Sequence, residues 1–311
     1  MEMDLIKRIS GVLIALLILT GCSSDSADEE QNDKLKITST FSIMTDIVEA
    51  IGGDHVEVHN LVPLGTDPHE YDPKPEDIQF LTKSDALFYN GLNLEGENGG
   101  WLDKLISSIN YDENKIFRAT EEVEPMYLAS GTKDEEINPH SFIDPNVGIK
   151  MAEAVEQALI EIDADNSDYY KKRAEEYISE LKDIEAEYRE TFENIPDEKR
   201  ILVASEFAFQ YLTGQYDIQE GYIWAIDTED NGSPQQIKDA TEFVKQHNPP
   251  VLFVESNVDR RPMEAVSKES GVPIYEKPLY SDEIGNRDSE ASTYIEYLRY
   301  NLKVLSDGMN R

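Results

Sequence analysis

Apolar and polar positions follow two rhythms along this chain, and the rhythms take turns. Lys34-Leu-Lys-Ile-Thr-Ser-Thr40 alternates and predicts a strand. Ile43, Ile47, Val48 and Ile51 then recur at helical spacing, and the pattern stops at Gly52-Gly53. Val56-Glu-Val-His-Asn-Leu-Val62 predicts the next strand, and Pro63, Gly65, Pro68 and Pro73 hold the chain in a loop after it. A short helix is expected over 76–82 and a buried strand over 86–90. Strand alternating with helix is the pattern of a parallel α/β sheet.

Two helices follow, over 144–162 and 167–193. In the second, Tyr177, Leu181, Ile184, Tyr188 and Phe192 share one face, charged residues fill the others, and Pro196 ends the run. This long helix, free of glycine, reads as a rigid rod. Beyond it the α/β rhythm resumes. Arg200-Ile-Leu-Val-Ala-Ser205 predicts a strand ending at Glu206, Tyr222–Ile226 another, and Val251-Leu-Phe-Val254 a buried strand ending at Glu255. Helices are expected over 234–246 and 293–309, with an extended stretch from Pro273 to Tyr275 leading toward Asp282. The fold class is therefore α/β: two parallel-sheet α/β lobes, 34–163 and 197–311, joined by a long rigid helix, 164–196.

The N-terminus changes the picture. Lys7 and Arg8 precede an apolar run, Gly11 to Leu19, of signal-peptide length and too short to span a bilayer. It ends in Leu19-Thr20-Gly21-Cys22, similar to the lipobox of bacterial lipoproteins, so 1–21 reads as a signal peptide and Cys22 as the lipidated first residue of the mature chain. Residues 22–33 are small, polar and acidic and read as a flexible tether. Cys22 is the only cysteine, which excludes an internal disulfide and a cysteine-built zinc site.

Acidic residues outnumber basic ones by 64 to 28, a net charge of −36. That excess argues against nucleic-acid binding, which needs a basic face. It keeps the chain soluble and draws cations toward it. Most of these carboxylates read as solvated surface.

The candidate chemistry lies in two near-matching segments, Asp67-Pro68-His69-Glu70 and Asn138-Pro139-His140-Ser141. Proline fixes its own φ and pushes the residue before it toward extended geometry, so each His sits on a stiffened loop. Either alone is an ordinary turn; together they read as two halves of a metal site. Ligands of parallel α/β sheets gather at the carboxyl ends of strands. His69, Glu206, Glu255 and Asp282 all fall there. His69, His140, Glu206 and Asp282 would make a shell of two imidazoles and two carboxylates that suits Mn2+, Fe2+ or Zn2+ and balances the ion's charge. Glu255 reads as a supporting residue, His55, His59 and His247 as surface or core histidines, and Trp101 and Trp224 as packing.

These motifs, with Asn90-Gly-Leu-Asn-Leu-Glu95, Ser205-Glu-Phe-Ala-Phe-Gln-Tyr211, Phe253-Val-Glu-Ser-Asn-Val-Asp-Arg-Arg-Pro262 and Leu279-Tyr-Ser-Asp282, resemble the metal-binding lipoproteins of bacterial manganese, zinc and iron ABC importers, the cluster A-I solute-binding proteins. The resemblance implies metal held between two lobes by His69, His140, Glu206 and Asp282. It implies an extracytoplasmic monomer, anchored to the cell membrane by lipid on Cys22. Such a protein is no enzyme: it hands a divalent ion to a membrane permease driven by a cytoplasmic ATPase. Family members with His at the Glu206 position resemble zinc carriers and often carry a His-rich loop before the second Pro-His. Here that position is Glu206, and the loop over 132–137 has no His, which resembles the manganese branch. Zn2+ and Fe2+ are the alternative cargoes. A secreted metallohydrolase is the rival class; the chain has no His-Glu-x-x-His pattern, and four protein ligands leave little room for a catalytic water.

Overall fold

The computed structural model describes residues 34–96, 99–128, 136–226 and 232–311. The expected signal peptide, Cys22 and the tether lie outside the described residues, as do positions 132–135 of the acidic loop.

The first sheet has four parallel strands: β1 (Leu35–Ser39), β2 (Val56–Asn60), β3 (Ala86–Tyr89) and β4 (Ile116–Arg118), in the spatial order β2-β1-β3-β4. Its helices are α1 (Ser42–Gly52), α2 (Pro75–Lys83) and α3 (Trp101–Ile109). In the second sheet β5 (Ile201–Val203) pairs in parallel with β6 (Gln219–Gly221). On the other side of β5, Phe253 donates its N–H to the Val203 carbonyl at 2.8 Å. Beyond that segment, single parallel bridges join Leu252 to Ile274 and Glu255 to Leu279. Both sheets therefore run outward from their first strand with the same order, although no sequence repeat links them. Each has its switch point, and hence its ligand crevice, at the carboxyl end of β1 or β5.

Residue alternation explains why both faces of the sheets are covered. Ala86 and Phe88 of β3 join the central core, while Leu87 points to the opposite face with Leu81, Trp101 and Leu102. In the second sheet Leu202, Val251 and Phe253 face the central core, whereas Ile201, Val203, Leu252 and Val254 face Ala240, Val244 and Val266. The latter come from α7 (Pro234–His247) and α8 (Arg261–Ser270). Two-sided burial makes these strands read as unbroken apolar runs.

The central core is continuous from one sheet to the other. It is lined by α4 (Pro145–Ile162), α5 (Ser167–Glu193) and α9 (Tyr294–Met309). Along α5 the buried stripe is Tyr170, Ala174, Ile178, Leu181, Ile184, Tyr188 and Phe192, so the rod is apolar along its whole inner edge. Asp144 caps α4 by accepting the Asn146 N–H at 3.0 Å, and Thr293 caps α9 by accepting that of Glu296 at 3.2 Å.

One predicted strand is displaced. The segment pairing with β5 as a strand is Gln219–Gly221, not Tyr222–Ile226; beyond it Ile223 and Trp224 donate to the Ser205 carbonyl, and Trp224 forms a single parallel bridge with Glu206. The polar Gln219 and Glu220 hid this strand: Gln219 is exposed, while Glu220 turns inward and accepts from the Phe209 N–H and the Thr213 hydroxyl. Helices α3, α8 and the short α6 (Gln210–Gln215), and strand β4, were not anticipated, although Trp101, Leu102, Leu105, Ile106 and Ile109 of α3 recur at helical spacing. No helix among the described residues is long and apolar enough to cross a membrane.

Candidate metal centre

Both Pro-His loops are closed by the residue two places before the histidine. Asp67 Oδ1 accepts the His69 backbone N–H at 2.7 Å, and Asn138 Oδ1 accepts that of His140 at 3.1 Å. These are Asx turns, in which a short side chain imitates a backbone turn. Proline between the two residues fixes the remaining torsion. The matching sequence contexts are thus matching structures, a signal readable in the Asx-Pro-His spacing that the proline argument alone left unused.

Each loop is then tied to its sheet. Trp101 Nε1 donates to the Pro68 carbonyl at 2.8 Å, and Tyr71 packs edge-on against the same indole. Behind His140, Asn90 at the end of β3 donates to the Pro139 carbonyl at 3.1 Å. Asn90 is itself held by buried Glu95, whose carboxylate accepts the N–H groups of Asn90 and Gly91 and the Thr40 hydroxyl. Burial pushes the Glu95 carboxyl up to about 7 against these donors. The turn it supports holds Gly91, Leu92 and Asn93 all at positive φ, a costly geometry for the two non-glycine residues.

The second half contributes carboxylates. Glu206 follows β5 and is fully buried. Glu255, ending the neighbouring segment, accepts the backbone N–H groups of Glu206 at 2.8 Å and Ser205 at 3.1 Å. Asp282 Oδ2 accepts from Asn257 Nδ2 and the Ser281 hydroxyl, both at 3.1 Å. Tyr297 of α9 fixes the same loop by donating to the Ser281 carbonyl at 2.9 Å. The loop also reaches the first half: Ile284 N–H donates to Ser42 Oγ at 3.1 Å, and Gly65 N–H to the Glu283 carboxylate.

The four sequence-predicted residues come together. One donor atom from each of His69, His140, Glu206 and Asp282 lies within 4.8 Å of all the others. His69 Nε2 and His140 Nε2 are 3.2 Å apart. His140 Nε2 lies 3.1 Å from Asp282 Oδ1 and 3.6 Å from Glu206 Oε2, and His69 Nε2 lies 4.0 Å from Asp282 Oδ1. All four side chains are withdrawn from water, His69 being the most accessible at 6 %.

Electrostatics favours a cation here. Burial pulls the His69 imidazole below its ordinary pKa, with Asp282 drawing it back only in part, so a lone pair is available at neutral pH. Burial alone would raise the Asp282 carboxyl, but His140 beside it, and then His69, hold it well below the usual carboxylate range. A divalent ion would supply the countercharge that two buried carboxylates need when ionised.

The remaining histidines lie elsewhere. His59 faces Asp77 at 3.3 Å and stacks on Phe80, His247 meets the Phe243 carbonyl at 2.9 Å, and His55 packs against Tyr169. Trp101 and Trp224 are buried, as expected of packing residues.

Known proteins place this arrangement. The family described as ZnuA, the periplasmic component A of a zinc-uptake complex, matches residues 37–308. The manganese ABC transporter substrate-binding lipoprotein PsaA of Streptococcus pneumoniae is 40% identical over 310 residues, 98% of this chain and 100% of that protein. The iron ABC transporter substrate-binding lipoprotein MtsA of Streptococcus pyogenes serotype M1 is 36% identical over 307 residues, 97% of this chain and 99% of that one. Among solved structures, the Mn-bound periplasmic metal binding protein of Candidatus Liberibacter asiaticus superposes with a TM-score of 0.77 at 26% identity, covering 89% of this chain and 100% of that one. The chain belongs to the ZnuA, or cluster A-I, family of metal-binding proteins of ABC importers, whose members bind a substrate and are not enzymes.

Proposed function

We propose that this metal ABC transporter substrate-binding protein captures Mn2+, and that His69, His140, Glu206 and Asp282 are the side chains that hold it. The carrying observation is the buried cluster of two imidazole nitrogens and two carboxylates whose donor atoms lie within 4.8 Å of one another. Nitrogen and oxygen in equal number suit manganese, and each carboxylate can offer a second oxygen to raise the coordination number above zinc's usual four. The manganese name of the relative at 40% identity supports the same cargo. Fe2+ is the second reading, favoured by the iron name of the relative at 36%; the zinc description of the family keeps Zn2+ as the third.

In this reading, lobes 34–163 and 197–311 hold the ion at the carboxyl ends of their sheets, with 164–196 as the connecting rod. The protein acts outside the cytoplasm as a monomer, tethered by lipid on Cys22, and delivers the ion to a membrane permease and its cytoplasmic ATPase. Capture needs no reaction, only a preformed shell and closure over it.

Elemental analysis of protein expressed without an affinity tag, followed by competition between Mn2+ and Zn2+, tests the cargo. Manganese should predominate; zinc or iron in its place overturns that assignment and leaves the shell standing. His69→Ala and Glu206→Ala test the shell. Each should abolish most of the rise in Tm that Mn2+ produces, and a full rise in both variants removes these residues from it.

A further inference from the structure

Asp67 and Asn138 close equivalent turns, but their side chains end differently. Asp67 reaches only the backbone of His69, and His69 Nδ1 is buried without a hydrogen-bond partner among the described residues. Asn138 Oδ1 reaches both the backbone N–H of His140, at 3.1 Å, and its ring Nδ1, at 2.8 Å. The other end of the amide, Nδ2, lies 2.8 Å from the Phe207 carbonyl and 3.1 Å from Gln210 Oε1.

These contacts settle which end of the amide is which. A backbone N–H can only donate and a backbone carbonyl can only accept, so the oxygen must face His140 and the nitrogen Phe207. An amide oxygen carries no hydrogen, so His140 Nδ1 must carry one. Nε2 is then the ring atom left to bind an ion, and it is the atom that faces Asp282 and Glu206. Phe207, at the far end of the amide, directly follows Glu206. The Asn138 backbone is pinned as well: its N–H donates to the Met126 carbonyl at 2.8 Å, and its carbonyl accepts from Tyr211 Oη at 3.0 Å. Asn138 is fully buried, so neither end of its amide has water as an alternative.

We infer that Asn138 is a positioning residue for metal capture, holding the His140 ring with Nε2 inward through its oxygen and aligning the Glu206 turn to that ring through its nitrogen. One side chain thereby sets the geometry between a ligand of the first half and a ligand of the second. The inference rests on the four-ligand reading above.

Asn138→Ala and Asn138→Asp separate this role from mere packing. In metal-free protein labelled with 15N-histidine, the Nδ1–H of His140 should be hydrogen-bonded to Asn138 and that of the half-buried His247 to the Phe243 carbonyl; the fully buried His140 Nδ1–H should be the one well protected from exchange, and it is the signal to follow. Asn138→Ala should lose that signal and weaken Mn2+ binding by about 10–100-fold, the usual cost of removing a hydrogen bond behind a metal-ligating histidine. Asn138→Asp keeps an acceptor for Nδ1–H, so it should keep the signal and bind Mn2+ more tightly than the alanine variant. Unchanged affinity in Asn138→Ala, or equal weakening in both variants, overturns the inference. A protected signal in wild-type protein that takes up neither Mn2+ nor Zn2+ overturns the four-ligand reading and this inference with it.

Discussion

Two imidazole nitrogens 3.2 Å apart cannot both point lone pairs at each other without a cation or a proton between them. That local conflict, with two buried carboxylates closing the other sides, is what a divalent ion relieves. The acids behind the site obey a different logic. Glu220 sits on β6 and accepts from the Phe209 N–H at 3.0 Å and the Thr213 hydroxyl at 2.7 Å, on the segment that follows Glu206. Burial pushes its carboxyl up to about 8 from an ordinary 4.5. A carboxyl raised in the folded state is stabilising when protonated, so its contribution is complete below about 4.5 and is lost as pH rises through about 8. Glu220→Gln should therefore flatten the fall in Tm between pH 5 and pH 8.5, a range set by those two values. Parallel Tm curves for wild type and variant would show that Glu220 is ionised throughout. At this scale the sequence was legible where local rules suffice: proline-stiffened histidines and acids at strand ends. Glu255 was legible as a supporting residue, and it accepts from the Glu206 and Ser205 N–H groups. What was not legible were the distant contacts, Glu95 with Thr40 and Asn138 with Phe207 and Gln210, which only the folded chain brings within hydrogen-bond reach.

Helix α5 was legible in full because its signal is long and uninterrupted. Its buried stripe repeats at intervals of three and four residues from Tyr170 to Phe192, and no glycine or proline breaks it. Short elements fared worse. Strand β6 has three residues, two of them polar, and α6 has six, too few for a period to declare itself. The packing around α5 also bears on movement. It touches α1 and α4 on the first-half side and α9 on the second, and its stripe belongs to the core that runs through both halves. A shared core resists wide opening, which favours small displacements of loops over a free hinge. Ile184→Ala, in the middle of that stripe, should lower stability by about 2–5 kcal/mol, the usual range for such a truncation in a packed core. The rise in Tm on adding Mn2+ should survive, since Ile184 lies on the buried stripe of α5 and is not one of the four clustered site residues. Denaturant unfolding with and without Mn2+ checks both halves of the statement. A lost Mn2+ response would mean that the rod sets the site geometry directly.

Across the whole molecule the dominant quantity is a net charge of −36, far more than four ligands require. Two consequences pull in opposite directions, which makes the charge testable. Like charges crowded on one surface repel, so the folded state is strained at low ionic strength and gains from screening. The same field concentrates divalent cations near the surface, so capture is steered and loses speed when the field is screened. The screening length shrinks from about 30 Å at 0.01 M salt to about 8 Å at 0.15 M. Across that interval the Tm of the metal-free protein should rise, while the association rate of Mn2+ in stopped-flow mixing should fall several-fold. Dissociation should change far less if the ion is held by the proposed buried groups, where mobile ions do not reach. If association is insensitive to salt while Tm still rises, the acidic surface serves solubility alone. Capture would then depend only on the few charges that line the site.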